Sequence, residues 1–108
     1  MILTTTPDVP GMRTVRTVGL VRGASIRTRH LAADIAEFVR NLVGLELNHY
    51  VKMMAEAREQ ALDRMQDEAY RMGANAVVAI RMVTSSVASG AAEILAYGTA
   101  VVIEPVDD

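Results

Sequence analysis

The sequence has no cysteine and no tryptophan, and only three prolines and four other aromatic residues among its 108 positions. Without cysteine there is no disulfide framework, no thiolate metal knuckle and no thiol nucleophile. No apolar run approaches the roughly 18 residues that a membrane-spanning helix requires. No aromatic residue precedes Phe38, so the first third of the chain has no side chain on which a nucleobase would stack, and nucleic acid is disfavoured as a partner. The start, Met-Ile-Leu-Thr-Thr-Thr-Pro-Asp, lacks the basic opening and long apolar stretch of a secretion signal, so a cytoplasmic location is the default expectation. The Gly-x-x-x-x-Gly-Lys-Ser/Thr pattern of a phosphate loop is missing as well.

Apolar residues are abundant at 51%, against 22% charged residues. That composition excludes disorder, and the length fits one domain spanning residues 1–108. The net charge of −2 is small, but the charges are segregated. Residues 13–30 hold Arg13, Arg16, Arg22, Arg27 and Arg29 with no acid, whereas residues 31–108 hold six basic and twelve acidic side chains.

Residues 2–6 are β-prone, and Pro7, Pro10 and Gly11 then break the chain. Residues 13–27 are rich in Val, Thr and Ile and predict a strand. Its alternation slips between Val15/Val21 and Val18/Leu20/Ile26, which a bulge near Thr17 would reconcile. Gly19 and Gly23 suggest close approach of another backbone. Leu31, Ile35, Phe38, Val39, Leu42 and Val43 recur at helical spacing, with Thr28 as N-cap and Gly44 as the stop. A longer helix is expected from Glu46 to Met72. Its buried face comprises Leu47, Tyr50, Val51, Met54, Ala57, Ala61, Leu62, Met65, Ala69 and Met72, and Ala57 and Ala61 narrow it enough to lie close to a sheet. Gly73 should end it. Residues 75–86 then read as a strand with Val78, Ile80 and Met82 on one face and Val77, Ala79 and Val83 on the other. Residues 87–91 read as a hairpin turn, and residues 92–104 as the last strand.

The expected fold class is therefore α+β, in the order β-β-α-α-β-β, with the helices on one side of an antiparallel sheet and the long helix packed on it. The last two strands are apolar on both faces, yet two helices cover one. Large apolar faces are rarely left in water, so either the sheet rolls up on itself or a second copy of the chain covers it, and in a domain this small the second copy is the expected cover.

Glu56 to Val78, which includes Ala57-Arg58 and Met72-Gly73-Ala74-Asn75-Ala76-Val77-Val78, resembles the YbjQ-like family. Thr4-Thr5-Thr6, Gly19-Leu20-Val21-Arg22-Gly23 and Tyr97-Gly98-Thr99-Ala100-Val101 share that resemblance, which covers nearly the whole chain. Members of the family are labelled heavy-metal-binding domains. The resemblance implies a fold similar to the dodecin subunit and a ring-shaped homo-oligomer, with five copies preferred, and it implies no activity. Three departures stand out. Gly44-Leu45 replaces a Gly-Gly pair, Ala79 replaces a glycine, and Met82, Val83 and Thr84 replace acidic and aromatic residues.

The candidate chemistry is sparse. Soft metals favour thiolate, thioether and imidazole donors. His30 and His49 are the metal candidates, but they are 19 positions apart and more simply read as helix-terminus histidines. The seven methionines more simply fill gaps in a core poor in aromatics. Arg22, Arg27 and Arg29, beside His30, are the anion candidates, and pairing between subunits is the plainer reading. Ser85, Ser86 and Ser89 have no placed His-Asp partner. Glu93, in an apolar strand, is expected to pair with Arg81. The reading is a non-enzymatic homo-oligomer without a cofactor, whose partner is itself. The alternative is a heavy-metal or small-anion binder.

Overall fold

The computed structural model describes residues 1–28, 46–88 and 90–107, with the side chains of 46–50 left aside. Four strands and one helix occupy these residues: β1 (Ile2–Leu3), β2 (Met12–Thr28), α1 (Glu46–Arg71), β3 (Ala76–Ala88) and β4 (Ala91–Pro105). The helix expected over 31–43 lies outside them, and Thr28, expected to cap it, is the last residue of β2.

The strands form one sheet in the order β1-β3-β4-β2. β4 is antiparallel to both neighbours, whereas β1 runs parallel to β3 through Ile2–Ala76 and Leu3–Val77. The sheet is thus mixed, not antiparallel throughout. The reason is connectivity: β1 and β3 are far apart in sequence, and the intervening crossover lets them run the same way.

α1 lies over β2 and β4 and barely touches β3. Ala57, Ala61, Met65 and Ala69, each four residues apart, are its fully buried stripe. Three small residues in that stripe bring the helix axis down onto β2. There Gly23 meets it backbone to backbone: a Cβ at Gly23 would stand 2.3 Å from both Ala61 O and Met65 N. Two polar contacts fix the same spot. Ser25 Oγ donates to Gln60 Oε1 at 2.7 Å, and Arg64 Nη1 donates to Ala24 O at 2.5 Å. The ends of the expected helical stripe fare differently, since Val51 and Met72 are exposed. The helix closes on Gly73 at φ +87°, with Ala74 N–H donating to Ala69 O at 3.1 Å and Gly73 N–H to Tyr70 O at 3.0 Å. This is the paired hydrogen-bond arrangement of a left-handed helix stop.

Two irregularities re-aim side chains. In β2 the register slips between Thr14 and Arg16 and between Thr17 and Gly19. That places the expected bulge at Thr17 and turns Val18 toward the helix with Val21. In β3 the register slips between Val78 and Arg81. Val77 and Ile80 face the helix while Ala76 and Val78 join a second cluster with Val101, Ile103, Val9 and Met12 on the opposite face. The strict alternation read from Val78, Ile80 and Met82 is therefore wrong by one residue at the slip, because an inserted residue exchanges the two faces.

The inserted residue is Ala79, at φ +54°. Its amide donates to Thr6 O at 2.9 Å, and that of Ile80 donates to Thr4 O at 3.1 Å. Gly98 lies beneath, where a Cβ would sit 2.8 Å from Val77 Cγ1 and 3.0 Å from Val78 O. Arg81 Nη1 donates to Thr5 O at 2.9 Å. It is not paired with Glu93, because the pairing register sets Arg81 opposite Tyr97 and Ser85 opposite Glu93. Asn75 closes the other end of the hairpin, its amide donating to Ile103 O at 2.9 Å and accepting from Ile103 N–H at 2.8 Å.

Two outcomes follow for stability. Gly23→Ala should lower the urea midpoint by the equivalent of about 2 kcal/mol, the scale of overpacking against rigid backbone; an unchanged midpoint would show that α1 does not approach β2 this closely. Ala79→Gly should raise the melting temperature. It removes about 1–2 kcal/mol of left-handed strain and adds less than that in unfolded-chain entropy, whereas Ala79→Val should lower it.

Candidate functional site

The sequence candidates do not converge. From Gly19 to Thr28, β2 pairs with β4 without interruption, so its side chains alternate between faces. Val21, Gly23 and Ser25 are buried toward the helix, which puts Arg27 on that side and Arg22 on the other. The proposed arginine trio is thereby divided by the sheet itself. Arg29 and His30 lie outside the described residues, as does the side chain of His49. Among the described residues, no group of three or more His, Asp or Glu is placed to hold a metal ion. Their one ion pair joins Arg13 to Glu104, on adjacent strands.

A cavity of about 340 Å³ lies where the β3–β4 hairpin, the end of β2 and the first turns of α1 come together. Arg27, Ala92 and Ser86 form one row across three strands, and Ser25, Ile94 and Thr84 form the next. Ala88, Gly90, Ala91 and Ala92 leave room because they are small, and Met53 and Met54 of α1 supply an apolar wall. A guanidinium with the hydroxyls of Thr84 and Ser86 is a donor set for a small oxyanion, and the thioethers suit an apolar appendage. Sequence reading missed Thr84 and Ser86 as partners of Arg27. They are nearly sixty positions away, and no motif links them.

A second hollow, about 270 Å³, runs along the helix side of β3 between Leu3, Thr4, Thr5, Leu62, Ile80 and Met82. It is apolar, and it exists because α1 is displaced toward β2.

The geometry shows what the recognised motifs do. Thr4-Thr5-Thr6, Ala79 and Gly98 meet at one bulge, Asn75 pairs with the backbone of β4, and Gly73 stops α1. These residues tie the strands and the helix of this fold together. The YbjQ family, described as "Putative heavy-metal-binding", matches residues 1–104. A UPF0145 protein of Methanosarcina acetivorans is 52% identical over 103 residues, covering 95% of this chain and 97% of its own. A UPF0145 protein of Pyrococcus horikoshii is 50% identical over 107 residues, covering 99% and 92%. The chain belongs to the YbjQ (UPF0145) family. A crystal structure from Pediococcus pentosaceus, described as a protein of unknown function of the DUF74 family, shares the fold. Its TM-score is 0.65 at 16% identity, over 96% of this chain and 98% of that one. None of these names assigns an activity.

Proposed function

We propose that the protein is a non-catalytic, self-assembling module whose working unit is a closed ring of identical copies in the cytoplasm. The observation that carries this reading is the apolar surface that β2 and β3 expose on one sheet face. On the sheet face away from α1, Leu20 is 64% and Ile26 56% exposed, with Val83 beside them. Covering even a few hundred Å² of such surface contributes on the order of 10 kcal/mol before the costs of association. Closed symmetry follows because an open repeat of one contact builds fibres. The count of five rests on the family resemblance. No helix among the described residues is long and apolar enough to cross a membrane, so a bilayer is not offered as the cover.

A second reading is favoured by the cavity at Arg27: the module holds a small oxyanion there, and assembly presents several such sites. The family's description points to metals instead. The soft donors of this chain are its two histidines and its methionines, of which Met53 and Met54 line the same cavity.

Light scattering coupled to size exclusion tests the first reading. Five copies of 11.7 kDa give about 59 kDa; a concentration-independent single-subunit mass would end it, and another closed number would revise only the count. For the second reading, inorganic phosphate should raise the melting temperature of the native protein and not that of Arg27→Gln. Equal shifts in both would remove Arg27 from the site.

A further inference from the structure

We propose that the sheet face away from α1 holds a nucleoside monophosphate, with its base against Tyr97, its phosphate at Arg22 and Arg81 supplying the second positive charge. The site is complete within one chain and stands apart from both readings above.

The first observation is a row of side chains. Arg22 of β2 and Arg81 of β3 stand directly opposite Tyr97 of β4, one on each side of it. Val21 and Ala96, next in the chain to Arg22 and Tyr97, belong to the core under α1, so alternation puts Arg22 and Tyr97 on the other face. Arg81 joins them there, since its neighbours Ile80 and Met82 line the hollow on the helix side. The flanking rows are uncharged: Leu20, Thr99 and Val78 on one side, and Ala24, Leu95 and Val83 on the other. Side chains directly opposite one another in such rows are close enough to share one ligand. Arg22 and Tyr97 are 75 positions apart in sequence, and only the register brings a ring to the arginine-rich segment.

The second observation is charge. No carboxylate occupies these three rows. Glu93 is on the same face but about 13 Å along β4 from Tyr97, four residues at strand spacing. Among the described residues the one ion pair is Arg13 with Glu104, so neither Arg22 nor Arg81 is neutralised there. Both are exposed. Arg81 is also held in advance. Its Nη1 donates to Thr5 O at 2.9 Å and to Ile80 O at 2.8 Å, which fixes the guanidinium and leaves Nη2 and Nε for a ligand. A donor fixed before binding lowers the ordering cost. Two guanidiniums match a phosphate monoester, which carries about −1.5 to −2 near neutral pH, better than a carboxylate with one charge. The demand for an anion grows if a second copy covers Leu20 and Ile26, because two guanidiniums taken out of water must be compensated.

The third observation is the ring. Tyr97 is the only aromatic residue in the four strands, and it is half-buried. Aromatic rings and guanidinium planes both stack on nucleobases. One ring seats one base, whereas a strand of nucleic acid is held by successive rings along a basic groove. The single ring with two positive charges therefore fits a mononucleotide and not a polymer.

Calorimetric titration of the native protein with AMP and UMP tests the proposal, since stacking accepts every base. Both should bind saturably, with one equivalent per chain. Arg22→Gln and Tyr97→Leu should each weaken binding by about tenfold, the scale of one charged contact or one stacked ring, and Tyr97→Phe should retain it. Adenosine and inorganic phosphate, each lacking half of the ligand, should displace AMP at least tenfold less effectively than UMP does. Absence of binding by both nucleotides overturns the proposal. So does displacement by inorganic phosphate as effective as by UMP, which would mean that the base makes no contact. Binding lost in Arg27→Gln and kept in Arg22→Gln would move the ligand to the hairpin cavity and overturn it as well. A single-stranded oligonucleotide that binds far more tightly than AMP would replace the mononucleotide by a strand. If a variant misfolds, photolabelling of the native protein with 8-azidoadenosine monophosphate decides: label on the peptide containing Tyr97 supports the site, and label confined to other peptides overturns it.

Discussion

The contact between Gly23 and the backbone of α1 at Ala61 and Met65 sets the geometry of the whole unit. A side chain at either surface would lift the helix, and everything above the sheet depends on that height. Met65 is fully buried because the helix is low, and Ser25 reaches Gln60 for the same reason. The contact is also off-centre. It ties α1 to the outer strand β2, so the helix that covers one side of the sheet leaves the other side, along β3, with its apolar groove.

The bulge at Ala79 is the second constraint. By inserting one residue it exchanges the faces of β3, so that Val77 and Ile80 both reach the helix. Just past the insertion, Arg81 donates to Thr5 O. Threonine carbonyls from the β1 segment satisfy the amides that the bulge exposes. The segment that made the chain recognisable is thus a fitting between strands.

The distribution of arginine takes on a different meaning in three dimensions. In sequence, residues 13–30 resemble an anion-binding segment. In the sheet, Arg22 and Arg27 stand on opposite faces of the outer strand β2, which disperses the charge. Among the described arginines of this segment, Arg27 comes to a hollow with hydroxyls around it, because the hairpin folds back to place Ser86 in its row.

The sequence by itself determined the strands on either side of a long helix, the stop at Gly73, the bulge near Thr17 and the close approach at Gly23. Each is set by local chemistry: helical or alternating periodicity, a left-handed φ, or a missing side chain. It also identified the family, through the run from Glu56 to Val78 and the short motifs around Gly19 and Gly98. Only the tertiary structure decided that β1 runs parallel to β3, that Ala79 exchanges the faces of its strand, and that Arg22 and Arg27 stand on opposite sides of the sheet. Those features depend on which strands lie side by side and on a single inserted residue, and neither leaves a mark in the composition or period of any one segment.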